Sequence, residues 1–498
     1  MLYASTRNQS IKVSSAEAIV KGIAEDGGLF VPCEIPHISA DKIKDMANKP
    51  YTERAEEIMS LFLTDFSEDE IRKCVVSAYN EKNFGSIDIA PLRSLENVEV
   101  LELWHGPTCA FKDMALQILP HLMTCSIKKC KIDKEIVILV ATSGDTGKAA
   151  LEGFADVDGT RILVFFPENG VSKIQKLQML TQSGKNVGVA SVFGNFDDAQ
   201  TGVKRIFGNE AYNKKLNENG FRLSSANSIN WGRLLPQIVY YFSAYCDMIK
   251  KGKINCGDKI NICVPTGNFG NILASWYAGK MGLPVNKFIC ASNANNVLTD
   301  FIKTGIYDKN RSFYTTVSPS MDILISSNLE RLLFDITKDE KTVSGLMNEL
   351  SLNGKYEVDD KTKAVISDKF FGGFCDDIST KASIAKVWAA QKYLMDTHTA
   401  VAYNVYEQYV NNTGDKTPTV IASTANPYKF NGAVFGSIAP DVDIKNMDEF
   451  DVLYALNEKT GIDIPKPLAE LKTKEKRFDR SCAKEEMINV VSEMLDIK

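Results

Sequence analysis

The sequence predicts an α/β protein in which mostly parallel sheets alternate with helices. Short apolar runs rich in β-branched residues lie at Val98 to Leu103, Ile136 to Ala141, Ile162 to Phe166 and Ile260 to Val264. Such runs, bounded by Gly, Pro or Ser, are typical of strands buried on both faces. Two of them lead through a glycine-containing turn into a helical pattern, in TSGDTGKAALEGFA and PTGNFGNILASWYAGK. Because ligands bind at the carboxyl ends of strands in open sheets, we expect the functional site at these turns.

The length of 498 residues predicts roughly three structural units, at about 150 residues each. Residues 1–95 carry short helical patterns such as AEAIVKGIAE and ERAEEIMSLFL, which predict a helical N-terminal domain. We expect a smaller α/β domain at 96–220 and a larger one at 221–498. The polar stretch near 305–380 is interpreted as an insertion or subdomain of the larger domain, and the tail EKRFDRSCAKEEMINVVSEMLDIK as a closing amphipathic helix.

Composition indicates an ordinary globular protein, with 44% hydrophobic and 24% charged residues. The 58 basic and 63 acidic side chains are spread along the chain, which does not favour nucleic acid as a partner. The N-terminal sequence lacks the pattern of a signal peptide, and no apolar run reaches about 18 residues, so we expect a cytoplasmic protein without membrane contact. Eleven cysteines without a C-x-x-C pair, and four histidines without ligand spacing, predict neither a disulfide framework nor a metal site. We interpret the cysteines as mostly reduced, small apolar residues.

The turn from Gly267 to Asn271 follows a predicted buried strand and opens a helix. Its two glycines let backbone N–H groups converge, and the helix dipole adds a partial positive charge, so the turn suits a bound anion. The pattern is neither a Walker loop nor the dinucleotide fingerprint. Taken alone, it is equally compatible with an ordinary strand-to-helix turn.

A second turn of this kind runs from Ser143 to Gly147. The hydroxyls of Ser143 and Thr146 at a helix start suit a substrate carboxylate. Helix capping by Thr142 or Ser143 explains the same residues equally well. The Asp-Thr-Gly triplet here does not indicate an aspartic protease, which needs two such triplets in β structure.

Lys112 lies in the segment HGPTCAFKD, ahead of the helical pattern MALQILPHLM. Apolar neighbours reduce solvation of the amine and lower its pKa towards the neutral form that Schiff-base chemistry needs. Taken alone, a lysine at a helix start is more often a solvated surface group. The neighbouring motifs favour the functional interpretation.

The order of the motifs resembles that of the threonine synthase family, in the longer class typical of bacteria and fungi. The resemblance extends from the first residues nearly to the last, through STRNQS…EDGGLFVP, HGPTCAFKD, TSGDTGKAA, GNFDDAQ, NSINWGRLLPQ, VPTGNFGN, SPSMDI, SSNLERLL, HTAVAY and STANPYKF. It implies a fold-type-II pyridoxal-phosphate enzyme, similar in fold to the tryptophan synthase β chain. The implied activity is that of a lyase that converts O-phospho-L-homoserine and water into L-threonine and phosphate.

The resemblance also implies the residues that bind the cofactor. Lys112 would carry pyridoxal phosphate as a Schiff base and act as the catalytic base. Thr424 would hydrogen-bond the pyridine nitrogen, with Ser423 the less favoured choice. Asp145 stands where many fold-type-II relatives carry Asn beside the phenolic oxygen. The cofactor phosphate would be held by Gly267, Asn268, Phe269, Gly270 and Asn271.

For the substrate, the resemblance implies that Ser143 and Thr146 bind the carboxylate. The substrate phosphate would be bound by four residues of NSINWGR, namely Asn227, Ser228, Asn230 and Arg233. We expect a small-molecule substrate and a monomer or homodimer. A phospholyase or dehydratase of the same fold and a non-catalytic binding protein are the competing interpretations, while a nucleotide-dependent kinase is disfavoured by the missing Walker loop.

Overall fold

The computed structural model describes residues 1–169 and 171–497. Its strands are β1 Tyr3–Ser5, β2 Lys12–Val13, β3 Phe30–Pro32, β4 Leu92–Ser94, β5 Glu99–Glu102, β6 Glu135–Ala141, β7 Thr160–Pro167, β8 Val187–Val192, β9 Phe221–Ser224, β10 Ile260–Pro265, β11 Val285–Ser292, β12 Ile306–Asp308, β13 Lys355–Glu357, β14 Phe370–Phe374, β15 Thr419–Ser423 and β16 Ser481–Cys482. The four apolar runs named above all form strands, so these predictions are confirmed.

Helices account for most of the remaining regular structure. They are α1 Ser15–Lys21, α2 Ala40–Met46, α3 Tyr51–Ser60, α4 Glu68–Ala78, α5 Glu81–Phe84, α6 Asp113–Leu116, α7 Leu119–Lys129, α8 Asp145–Phe154, α9 Lys173–Leu180, α10 Phe196–Gly208, α11 Glu210–Glu218, α12 Trp231–Lys250, α13 Gly270–Lys280, α14 Val297–Thr304, α15 Leu329–Thr337, α16 Glu340–Asn353, α17 Asp360–Lys369, α18 Asp377–Gln391, α19 Thr397–Thr413, α20 Asn431–Ile438, α21 Glu449–Thr460, α22 Lys466–Ala469 and α23 Met487–Met494. Short 3-10 helices lie at Pro319–Met321, Pro427–Phe430, Glu470–Lys472 and Lys484–Glu486. Among residues 1–169 and 171–497, no helix has both the length and the apolar character that a membrane span requires.

Two sheets organise the α/β part of the molecule. The larger sheet has the strand order β14-β11-β10-β15-β5-β4 and is parallel except for β4. The smaller sheet has the order β16-β8-β7-β6-β9, and all its pairings are parallel. Parallel strands end at a common edge, so the turns after β10 and β15 lie side by side. The predicted α/β class with open, mostly parallel sheets is confirmed.

The N-terminal residues form helices α1 to α5 together with a three-stranded antiparallel sheet, β2-β1-β3. The sequence patterns predict helices alone there. Each of these strands has only two or three residues, which is too short for an alternating pattern to be recognised.

Sheet pairing crosses the linear domain boundaries expected from the sequence at several places. Strand β5, within the expected domain 96–220, belongs to the larger sheet, whereas β16 near residue 481 joins the smaller one. Strand β14, within the expected insertion at 305–380, is an edge of the larger sheet. The boundaries of independently folding domains therefore stay a prediction.

The core connects the N-terminal residues to the larger sheet through α12, which is buried along nearly all of its length. Trp231, the first residue of α12, is fully buried, and its ring centroid lies 5.3 Å from that of Tyr3 and 5.6 Å from that of Phe62. A third aromatic contact, at 5.7 Å, comes from Tyr277 of α13. The NSINWGR segment that precedes and opens α12 is thus fixed from three sides.

Candidate functional site

The turn after β6 begins helix α8, and Thr142 caps it. The Thr142 hydroxyl accepts hydrogen bonds from the Gly144 and Gly147 amides at 3.0 and 2.8 Å. Gly144 has a φ of +137°, and a methyl group on it would lie 2.8 Å from the side chain of Gln175. Of the two capping possibilities, the structure therefore uses Thr142. The half-buried Ser143 and Thr146 have no side-chain partner among the described residues, so their hydroxyls are free to bind a ligand.

The turn after β10 has the features of an anion cup. Phe269 adopts a left-handed backbone with φ of +64°, which makes successive N–H groups converge. A methyl group on Gly267 would lie 2.7 Å from the carbonyl oxygen of Ser320, so only glycine fits there. Asn271 Oδ1 accepts hydrogen bonds from two tyrosines, yet its buried Nδ2 has no partner within the part of the chain that the structure describes. A buried donor without a partner is costly, and a bound anion would satisfy it.

The Lys112 amine lies beside this cup. Its Nζ is 3.3 Å from Ser320 Oγ and 3.5 Å from Asp145 Oδ2, and the residue is only 8% exposed. Burial lowers the pKa of Lys112, the positive charges of Lys429 and Arg233 lower it further, and Asp145 opposes them. The result is an amine that is neutral at lower pH than an ordinary lysine.

Asp145 is shared between two lysines. Its Oδ1 lies 2.8 Å from the Nζ of Lys429, which is also buried, and accepts a hydrogen bond from Gln175 at 2.9 Å. Burial alone would raise the pKa of the Asp145 carboxyl, but Lys429 and Lys112 hold it well below its usual range. Lys429 was not identified from the sequence, although it lies in STANPYKF. The only available signal was a lysine in a segment without nearby acidic residues.

Ser320, in the segment SPSMDI, was also missed. It contacts Lys112 through its hydroxyl and Gly267 through its carbonyl, and its amide donates to His398 Nε2 at 3.1 Å. Because an amide can only donate, Nε2 of His398 carries no proton, and Nδ1 donates to Asp396 at 2.8 Å. The Asp396–His398 pair therefore holds Ser320, which contacts both the Lys112 amine and Gly267 of the anion cup.

The segment after β15 meets the loop of Lys112. The Phe111 amide donates to the Thr424 carbonyl at 2.8 Å, and Ala110 forms a β-bridge with Ala425. The Ser423 hydroxyl accepts hydrogen bonds from Trp104 and Thr399, both at 3.0 Å. No side-chain partner for the Thr424 hydroxyl occurs among residues 1–169 and 171–497. This difference favours Thr424 over Ser423 as the residue that binds a ligand.

Arg233, on α12, presents a buried cation. Its guanidinium donates to the Ala226 carbonyl at 3.0 Å, but its Nε has no partner in the described residues. Burial lowers the pKa of Arg233 to about 10. The half-buried Asn227 and Ser228 precede it, and Ser228 Cβ is 3.8 Å from a methyl group placed on Gly270.

Asn230 has a different position from its neighbours. Its amide donates to the carbonyls of Ile19 and Ser225, both at 2.9 Å, and its Oδ1 accepts from the Gly232 amide at 2.8 Å. Every polar atom of this side chain is therefore used to cap α12 and to hold the N-terminal residues. Residue type alone could not distinguish capping from ligand binding. Asn268 differs as well, because it is exposed, and its carbonyl accepts a hydrogen bond from the Asn328 side chain at 3.1 Å.

The buried charged side chains indicate which ligands the site can bind. Lys112, Lys429 and Arg233 are buried around one low-pKa carboxylate, that of Asp145. Asp113 lies nearby, with its pKa raised to about 6 by burial, and accepts two hydrogen bonds from Thr108. With Lys112 protonated and Asp113 ionised, cations exceed anions by one, and with Lys112 neutral the two balance. Buried charges require partners, so this cluster favours anionic ligands such as phosphate groups and carboxylates.

The chain is similar to known proteins over most of its length. The model for the threonine synthase N terminus matches residues 2–79, and the model for the threonine synthase C-terminal region matches residues 399–491. The chain is 43% identical over 436 residues to threonine synthase-like 1 from Homo sapiens, covering 85% of this chain but only 58% of that protein. It is 38% identical to threonine synthase from Schizosaccharomyces pombe, covering 87% of this chain and 88% of that protein.

The fold is similar to that of a solved structure over nearly the whole chain. The crystal structure of pyridoxal-phosphate-bound threonine synthase from Brucella melitensis superposes with a TM-score of 0.87 at 34% identity, covering 99% of this chain and 98% of that one. This similarity confirms the predicted fold class. The similarity in sequence and in fold, both over most of the length of named threonine synthases, shows that the chain belongs to the threonine synthase family.

Proposed function

We propose that the protein is a pyridoxal-phosphate-dependent lyase that converts O-phospho-L-homoserine and water into L-threonine and phosphate, the last step of threonine biosynthesis. The observation that carries this proposal is the position of the Lys112 amine, 3.3 Å from Ser320, whose carbonyl packs against Gly267 of the anion cup. An amine whose pKa burial lowers, beside an anion cup, fits a cofactor that carries an aldehyde and a phosphate on one ring. The names of the S. pombe and Brucella relatives support the same activity.

The residues present fit the cofactor. Asn271 offers a buried donor that has no partner among the described residues, and Gly267 lets the turn pack against the Ser320 carbonyl, where a methyl group would lie only 2.7 Å from the oxygen. The turn from Gly267 to Asn271 would hold the phosphate, Thr424 the pyridine nitrogen and Asp145 the side of the phenolic oxygen. When bound, the cofactor supplies an electron sink for negative charge at the substrate α-carbon. A neutral hydroxyl at the ring nitrogen makes that sink weaker than a carboxylate would.

Lys112 would remove the α-proton as a neutral amine, because burial and two neighbouring cations lower its pKa. Lys429 forms a close ion pair with the Asp145 carboxylate. This carboxylate therefore stabilises the protonated form of Lys112 less than it would without Lys429. The hydroxyls of Ser143 and Thr146, which have no partner among the described residues, would bind the substrate carboxylate at the start of α8. These residues together orient the amino acid with its α-proton towards Lys112.

Arg233, with Asn227 and Ser228, would bind the substrate phosphate. The negative charge of that phosphate would offset positive charge buried in the site. Asn230 caps α12 and thereby positions Arg233. After a proton leaves the β-carbon, the C–O bond to phosphate breaks at the γ-carbon, which then gains a proton. Phosphate retained by Arg233 would accept a proton from the water that attacks the β-carbon.

A second candidate is a phospholyase, which releases phosphate without adding water at the β-carbon. One specific observation favours it: the human relative, at higher identity than the S. pombe enzyme, is named threonine synthase-like rather than threonine synthase. Since the chain spans 58% of that protein's length, the name does not decide between the activities. The products do, because a phospholyase acting on phosphohomoserine yields 2-oxobutyrate, ammonia and phosphate.

The test uses the purified chain supplied with pyridoxal phosphate and O-phospho-L-homoserine. We expect a visible absorption band that borohydride removes. We also expect equal amounts of threonine, measured by amino-acid analysis, and of inorganic phosphate, measured by a phosphate assay. The Lys112→Ala variant should lose the band and turnover, by roughly a factor of a thousand or more, because covalent attachment and the catalytic base are both lost.

Lys173→Ala is the matched control, since this lysine is about half exposed and lies outside the site. It should retain the absorption band and the activity. Release of phosphate together with 2-oxobutyrate would show that the activity is that of a phospholyase. Normal threonine formation by Lys112→Ala would refute both proposed activities. Gel filtration of the same samples tests the oligomeric state, for which a monomer or homodimer stays a prediction. The cytoplasmic location also stays a prediction.

A further inference from the structure

Two thiols outside the site lie in direct contact. Cys74 Sγ, on α4, is 3.8 Å from Cys125 Sγ, on α7. Cys74 is buried, whereas Cys125 is half-buried. Within residues 1–169 and 171–497, they are the only two of the eleven cysteines whose sulfurs contact each other. A disulfide has an S–S length of about 2.05 Å, so the two sulfurs need to approach each other by roughly 2 Å.

The helices that carry the two thiols are already held together. Lys129 of α7 forms an ion pair with Glu70 of α4 at 2.8 Å. Tyr79, which caps the end of α4, donates to the Met114 carbonyl of α6 at 2.5 Å. The thiols are therefore presented to each other by a fixed pair of helices.

The electrostatic surroundings make the two thiols unequal. The contact with Cys74 lowers the pKa of Cys125, burial and the charge of Glu70 oppose this, and Lys128 and Lys129 favour it. The same contact raises the pKa of Cys74. One sulfur is thus available as a thiolate nucleophile, and the other is a neighbouring thiol that can resolve its oxidised form.

We propose that Cys74 and Cys125 form a redox modification site, which a peroxide converts into a disulfide between α4 and α7. The Cys125 thiolate attacks one peroxide oxygen, so that an S–O bond forms, the O–O bond breaks and hydroxide leaves. Cys74 sulfur then attacks Cys125 sulfur, the S–O bond breaks, and the departing hydroxide with the Cys74 proton gives water. In total, the two thiols lose two electrons and two protons, and hydrogen peroxide becomes two waters.

The disulfide would restrain the connection between the two sheets. Helix α7 links α6, which starts directly after Lys112, to β6, the strand that leads into Ser143 and Asp145. A covalent bond from α4 fixes this connection to the N-terminal residues. Oxidation would therefore restrict movement of the smaller sheet relative to the rest of the molecule.

The test uses the full-length chain, reduced and then treated with hydrogen peroxide. Free thiols are counted after denaturation, and peptides are mapped by mass spectrometry without reduction. We expect the loss of two thiols per chain and a cross-linked peptide pair containing Cys74 and Cys125. Cys130→Ser is the matched control, because this half-buried thiol lies at the end of the same helix and has no sulfur partner among the described residues. It should give the same cross-link.

Cys125→Ser and Cys74→Ser should give no cross-link, and peptide mapping of the unmodified sequence keeps the test valid if either variant fails to fold. Amide hydrogen exchange in residues 119–129 should slow on oxidation in the original chain and in Cys130→Ser, but not in Cys125→Ser. A sulfinic acid at Cys125, a bond to Cys130 or an unreacted pair would overturn the modification site. Unchanged exchange in a cross-linked chain would overturn the restraint. None of these readouts depends on the proposed activity.

Discussion

Asp145 joins two buried lysines at the centre of the site, and this arrangement determines which of them can act as a base. Lys429 lies 2.8 Å from the carboxylate and Lys112 lies 3.5 Å from it, so the stronger ion pair is with Lys429. Coulomb attraction falls with distance, which leaves the Lys112 amine less stabilised in its charged form. A single carboxylate thus pairs closely with Lys429 and stabilises the charged form of Lys112 less.

Replacing Lys429 by methionine should therefore move the activity of Lys112 to higher pH. The positive charge of Lys429 lowers the pKa of Lys112, and Asp145 raises it, so removing Lys429 raises that pKa. A neutral amine exists above its pKa, and the midpoint for reaction with added pyridoxal phosphate, followed by visible absorbance, should rise. Breaking the buried pair should also cost about 3 kcal/mol of unfolding free energy in urea.

Lys148→Met provides the control for this change. Lys148 lies on the same helix as Asp145, but it pairs with Glu152 at 2.7 Å. It should leave the midpoint in place. A midpoint that stays fixed in Lys429→Met, or that moves to lower pH, would contradict the role given to the shared carboxylate.

At the scale of single elements, the anion cup depends on a close approach between two segments that are far apart in the sequence. The 3-10 helix Pro319–Met321 carries Ser320, whose carbonyl packs against Gly267. His398, at the start of α19, holds the amide of the same residue. The cup is therefore built by β10, by a segment of the expected insertion and by α19, and not by its glycine turn alone.

Gly267→Ala should weaken cofactor binding, because relieving the overlap with Ser320 displaces the backbone of the cup. The new methyl group would lie 2.7 Å from a backbone oxygen, and relieving such an overlap costs about 1–3 kcal/mol. Each 1.4 kcal/mol lost from binding corresponds to about tenfold in the dissociation constant for pyridoxal phosphate, which fluorescence titration measures.

Gly345→Ala is its matched control. Gly345 lies within α16, and a methyl group there meets no atom within 4 Å. This change should leave cofactor affinity unaltered and stabilise the helix by up to about 1 kcal/mol. Equal affinity of the two variants would show that the approach of Ser320 to Gly267 is not needed for binding.

The elements also show how far sequence reasoning reaches. Strands such as β6 and β10 were predictable, because a parallel strand buried on both faces is a continuous apolar run. The two glycine turns could be located for the same reason. The pairing of Asp145 with Lys429 was not predictable, because no local sequence pattern indicates which residue either of them contacts. Asn230 shows the opposite case, in which a motif residue with a suitable side chain is used for capping.

At the scale of the whole molecule, the N-terminal residues are fastened to the larger α/β part by polar contacts as well as by Trp231. Arg7 binds both carboxylate oxygens of Glu330, at 2.9 and 2.8 Å, and Thr6 donates to the same carboxylate. Arg54, which is buried, pairs with Asp247 at 2.7 Å. The opening motif and SSNLERLL are thus two halves of one contact.

Arg7→Ala should destabilise the protein by about 3 kcal/mol, because it leaves the buried Glu330 carboxylate without its cation. Arg72→Ala removes a well-exposed arginine that pairs with Glu56, and should cost about 0–1 kcal/mol. Urea unfolding measures both. Adding Glu330→Gln to Arg7→Ala should recover part of the loss, and no recovery would indicate that the arginine acts through packing instead.

The smaller sheet has a strand that is synthesised late. Strand β16 covers the edge of β8, with the hydroxyls of Ser191 and Ser481 in contact across 290 positions of sequence. At ribosomal rates of about 5–20 residues per second, that edge waits roughly 15 to 60 seconds for its neighbour. An uncovered edge strand can pair with another nascent chain during this interval. The newly made protein therefore has a period in which protection by chaperones matters more for its yield than the stability of the finished fold.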